Sequence, residues 1–111
     1  MLILIGLRIS EDSHKLGGLT VPTGAAFDAG EYWERIDFTG NITDAEDILR
    51  QLGAIEVRRE LFGCEECLII IYAFSDRLTG RTYERWGTFN IMIAVRNGSI
   101  AVGYPVLIGS F

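Results

Sequence analysis

The sequence predicts an α+β fold: a mostly antiparallel sheet of five or six strands, with one short helix (about 44–52) packed on one face and a C-terminal β-hairpin. Three observations carry this expectation. Asn97-Gly98 separates two alternating apolar runs, the signature of a two-residue type I′ hairpin. Residues 67–74 (CLIIIYAF) are apolar and β-rich throughout, the pattern of a central strand covered on both faces. Residues 43–53 hold a clear helical period with a single apolar stripe, and such a helix must lie on a sheet.

Each element follows in chain order. Residues 1–9 (MLILIGLRI) read as a buried strand. No positive region precedes the apolar residues 1–7 and Arg8 follows at once, so they lack the form of a secretory signal. Residues 10–24 carry Ser10, Ser13, Gly17, Gly18, Pro22 and Gly24, which predicts a long loop. Over 25–38 a helical stripe (Ala26, Ala29, Trp33, Ile36) competes with strand alternation (Tyr32, Glu34, Ile36, Phe38). Gly30 weakens the helix, so a strand is expected over 32–38.

Thr43 and Glu46 stand at capping-box spacing. Asp44, Glu46 and Asp47 load the first turn with negative charge, Arg50 sits near the end, and Gly53 stops the helix. Ala45, Ile48, Leu49 and Leu52 share one face. In 54–62, Ile55, Val57 and Leu61 alternate with Glu56, Arg58 and Glu60, predicting a half-exposed strand. Residues 76–87 read as a loop.

The hairpin turn also fixes a register. With Arg96 and Ser99 flanking it, Val95 faces Ile100, Ile93 faces Val102, Ile91 faces Tyr104 and Phe89 faces Val106, all apolar and on one face. The other face holds the smaller or more flexible Met92, Ala94, Ala101 and Gly103. Pro105 cannot donate to a ladder, which places the last strand at an edge.

Composition bounds the function. The 111 residues are one domain's worth, 1–111, with 49% hydrophobic and 23% charged residues. Two cysteines exclude a disulfide-framed mini-protein. A net charge of -5 argues against a general nucleic-acid binder, whose footprint is basic. No apolar run approaches the length of a membrane helix, so a cytoplasmic protein is expected, with no membrane partner. The mean hydropathy of +0.25 is high for a small monomer and fits a homo-oligomer contact or a permanent partner.

The familiar catalytic patterns are missing. Cys64-Glu65-Glu66-Cys67 has the spacing of a zinc knuckle or dithiol switch, but no second cysteine pair completes a zinc site. Two glutamates raise the thiol pKa where a redox pair needs it lowered. Cysteines at a turn are therefore expected, and no metal. His14 is the only histidine, and no G-x-S-x-G accompanies it. Neither nucleotide-binding glycine pattern appears, so no cofactor is expected.

Charge is distributed unevenly. Residues 28–66 carry eleven acidic residues and four arginines, whereas 77–111 carry four arginines and one glutamate. Asp28, Glu31, Glu34, Asp37, Asp44 and Asp47, with Tyr32 and Trp33 as anchors, form the expected partner-binding set. No catalytic residue is assigned. The loop with Arg77, Arg81 and Arg85 also carries Tyr83 and Trp86, a composition found at interfaces. These features point to a non-enzymatic protein inhibitor that binds a basic partner, such as a nuclease toxin, in the manner of bacterial immunity proteins. The alternatives are a small-molecule-binding or enzymatic homo-oligomer, and a structural subunit of a larger assembly.

Overall fold

The computed structural model describes residues 15–63 and 67–109. The expected first strand over 1–9, His14 and Cys64 lie outside the described residues. In chain order the elements are β1 (Ala26–Ala29), β2 (Glu34–Thr39), α1 (Ile42–Leu52), β3 (Ile55–Phe62), β4 (Leu68–Phe74), β5 (Tyr83–Glu84), β6 (Thr88–Phe89), β7 (Ile91–Arg96) and β8 (Ser99–Tyr104). Six of the strands form one antiparallel sheet in the order β1-β2-β8-β7-β4-β3, and β5 with β6 makes a separate small ribbon. This is the expected α+β architecture.

The C-terminal hairpin sits as its turn chemistry dictates. Asn97 and Gly98 have φ of 44° and 84°, both in the left-handed region that a type I′ turn requires. Val95 pairs with Ile100 and Ile93 with Val102. Expectation fails at the far end, where Phe89 does not continue the apolar face. The intervening Asn90 is fully buried and tied by its side chain to Ser75 and Leu78. Phe89 turns to the opposite side and packs near Ile70 and Tyr72. The last strand is also no edge: β8 lies between β2 and β7, and Pro105 falls just after its end.

Helix α1 starts earlier than expected. Asn41, not Thr43, is the N-cap, and the reciprocal partner is Asp44 instead of Glu46. Asn ranks above Thr as a cap, and the Asn41 side chain accepts the amides of Thr43 and Asp44. Gly53 closes the helix with φ of 61°, as expected. Ala45, Ile48, Leu49 and Leu52 are buried against Ile36, Ile71, Ile93 and Val102 in the main core. Full burial of each large aliphatic side chain contributes about 1.5–3 kcal/mol.

Strand β3 departs most from simple alternation. A bulge between Glu56 and Arg58 shifts its pairing with β4. Val57 consequently packs with Ile70 and Tyr72, while Ile55 and Leu61 are 73% and 63% exposed. β3 is the outer strand, and α1 lies over β7, two strands further in. On the face away from the helix, Ala94 and Ala101 leave room for Leu107. Gly103 permits the chain to fold back there, since a Cβ would stand 2.5 Å from the Val106 carbonyl oxygen.

Candidate functional site

The β1–β2 connection gathers the most unusual exposed groups. Gly30 N–H donates to the Trp33 carbonyl at 2.9 Å, closing the turn. The Trp33 indole folds back over Gly30 so closely that a Cβ there would lie 2.0 Å from Nε1. Tyr32 is thereby pushed outward and is 56% exposed. Its ring is nonetheless held: the Arg81 guanidinium lies over it, with Cζ 4.0 Å from the centroid.

Arg81 is positioned from below. Its backbone N–H donates to Tyr104 Oη at 2.9 Å, and Tyr104 Oη donates to the Thr79 carbonyl at 3.1 Å. Lys15 Nζ donates to Thr79 Oγ1 at 3.1 Å. Glu34, only 6% exposed, accepts the backbone N–H groups of Lys15 and Leu16 at 2.6 and 2.8 Å. The result is a concavity of about 420 Å³ at the end of the sheet, lined by Lys15, Glu31, Tyr32, Trp33, Arg81 and Tyr104.

The eight residues expected to bind a partner do not share one surface. Glu34 is buried on the helix side and fastens the 15–16 segment. Asp44 completes the helix cap. Asp47 accepts from Arg50 and Gln51 on the helix. Asp28 and Asp37 flank Arg35 on the opposite face of the sheet. Arg35 grips Asp37 through two 2.8 Å bonds and donates to the Ile108 carbonyl at 2.9 Å. The hydrogen bonds to Asp37, aided by its charge, raise the Arg35 pKa above the ordinary value. That leaves Glu31, Tyr32 and Trp33 together at the tip.

The arginine loop divides its labour. Arg77 Nη1 donates to the Gln51 carbonyl at 2.9 Å at the helix C-terminus, a favourable place for a cation. Arg81 goes to Tyr32. Arg85 stacks on Trp86 at 4.5 Å, and Arg58 from β3 lies over the same ring at 5.0 Å. Trp86 packs against Tyr72, and Tyr72 Oη donates to Glu60 at 3.2 Å. Burial raises the Tyr72 pKa, and the Glu60 carboxylate adds to the effect. Arg58, Glu60 and Tyr72 were missed as a group in the sequence. Strand spacing puts Arg58 and Glu60 on one side, but only pairing with β4 brings in Tyr72.

A larger recess of about 640 Å³ lies near the hairpin turn, between Thr23, Asp37, Ala94, Arg96 and Ala101. Among the described residues no group of three or more histidine, cysteine or acidic side chains is placed to hold a metal ion. Cys67 is disulfide-bonded. None of the described helices is long and apolar enough to cross a membrane. No family model, curated protein or solved structure matches the chain.

Proposed function

We propose that this chain is a non-enzymatic protein inhibitor that presents the tip Glu31-Tyr32-Trp33 to a basic partner, such as a nuclease toxin. The observation that carries the reading is the Tyr32 ring, 56% exposed yet fixed beneath Arg81. An exposed aromatic side chain that is already ordered loses little entropy when covered by a partner. Tyrosine, tryptophan and arginine are also the residues that dominate binding energy at protein interfaces. Glu31 supplies negative charge at the rim, where it accelerates encounter with a basic surface.

The reading includes action in the cytoplasm. A disulfide at Cys67 is out of keeping with that reducing compartment, so thiol titration of protein taken directly from cells bears on the location. The functional test is growth rescue. Where a basic, growth-arresting protein is encoded beside this chain, it is expressed alone, with the wild-type chain, and with Tyr32→Ala or Glu31→Lys variants. Rescue by wild type, weakened by Tyr32→Ala in a variant that melts normally, supports the proposal. Equal rescue by all forms, or no rescue by wild type, overturns it.

A further inference from the structure

We infer that the face formed by Arg58, Tyr83, Arg85 and Trp86 is a second docking surface, and that its partner is an acidic protein segment bearing aspartate or glutamate side chains. The inference is independent of the tip described above, because it rests on different residues on the face of the sheet away from the helix.

The argument begins with how Arg85 is held. The chain has an acidic excess, with 15 acidic against 10 basic residues, and most of its arginines find carboxylates or carbonyls. Arg85 does not: among the described residues no carboxylate lies within ion-pair distance, and its guanidinium is laid on the Trp86 ring instead. The ring contact restrains the guanidinium, whose N–H fork makes no ion pair among the described residues. Such a fork matches a carboxylate with two parallel hydrogen bonds.

The surroundings specify the class of ligand. Arg58 lies over the same indole, and among the described residues it forms an ion pair with Glu60 at 3.7 Å, whose carboxylate also accepts from Tyr72 Oη. A carboxylate of the chain itself thus already engages Arg58 and Tyr72 on this face. Glu84 is turned away, accepting from Thr88 Oγ1 at 2.7 Å. The local balance of Arg58 and Arg85 against Glu60 is therefore positive. Tyr83 is 43% exposed and packs on Phe89, placing an aromatic edge next to the cations. Aromatic area beside paired arginines suits a protein segment, which brings apolar side chains with its carboxylates.

The test uses the full chain and a fluorescein-labelled hexaglutamate peptide, followed by anisotropy, with indole N–H resonances locating the contact. The expected result is salt-sensitive binding that shifts the Trp86 indole signal. Arg85→Gln should weaken it about tenfold, the effect of losing a hydrogen bond to a charged group. Arg85→Lys should fall between, because it keeps the charge and loses the fork. Arg85 is exposed, and thermal melting confirms that each variant is folded. Absence of peptide binding at low salt overturns the inference, as does binding that Arg85→Gln leaves unchanged. Tighter binding of a DNA duplex than of hexaglutamate overturns the class of partner.

Discussion

The two faces of the sheet are built on different terms. On the helix side, every strand from β2 to β4 contributes aliphatic side chains to one continuous core, and α1 closes it. The polar groups buried there, Glu34, Ser75 and Asn90, fasten neighbouring loops by their hydrogen bonds. On the other side no helix covers the sheet among the described residues. Two smaller clusters do that work, one around Leu107 and one around Tyr72 and Phe89, with arginines over the aromatic rings. The difference teaches where stability and recognition reside. The first face is held by buried apolar area, while the second is held by stacking and by close approach of backbone. The second face leaves aromatic and cationic groups accessible, as does the tip at the end of the sheet, where Tyr32 lies exposed beneath Arg81.

That contrast can be broken or sharpened by substitution. The largest effect should come from the helix side. Ile93→Ala, at a fully buried position in a central strand, should lower stability by about 3–4 kcal/mol in a denaturant titration. A loss below about 1 kcal/mol would show that the core is not where the helix meets the sheet. On the opposite face, Gly103→Ala should cost about 1–3 kcal/mol, because the new methyl group must displace the backbone at Val106. Limited proteolysis should then cut the 105–109 segment faster. Unchanged cleavage would mean that the segment is not held by that contact.

Smaller effects separate fastening from recognition. Glu34→Gln retains one carbonyl acceptor for two backbone donors, so a loss of about 1–2 kcal/mol is expected, measured by thermal melting. A variant as stable as wild type would return Glu34 to the candidate binding set. The smallest effect is a pH dependence. The Tyr72 pKa is raised in the folded protein, first by burial and then by Glu60. The folded state therefore holds this proton more tightly, and its contribution is fully present below the unfolded tyrosine pKa of about 10. It is lost as pH rises through the folded value. Tyr72→Phe should flatten the decline of stability above about pH 10, and an unchanged decline would remove Tyr72 as its source.

Legibility in the sequence followed the same division. The hairpin, the helix and the strand at 67–74 were readable because turn chemistry and periodicity are local. Asn97-Gly98 fixed pairs such as Ile93 with Val102 without any knowledge of the rest. Errors arose where a distant contact overrode a local pattern. Asn90, drawn into a network with Ser75 and Leu78, ended the hairpin's apolar face one residue before Phe89. Pro105 suggested an edge because its position after the strand end could not be seen. The acidic segment looked like one surface in sequence, yet strand alternation and the β2–α1 connection sent its carboxylates to separate places. The pairing of Tyr32 with Arg81 had no signal at all, although both segments had drawn notice for their composition.

The loop after β4 has no regular secondary structure, but its backbone is well supplied with acceptors. The amide of Ser75 donates to Asn90 Oδ1, that of Arg77 to Ser75 Oγ, that of Leu78 to the Ser75 carbonyl, and that of Arg81 to Tyr104 Oη. In a hydrogen-exchange map these four amides should therefore exchange slowly, in the manner of strand amides, and open only with the helix-side core that supplies or supports their acceptors. The segment that carries Arg81 to the tip is, in exchange terms, part of the most durable unit of the protein.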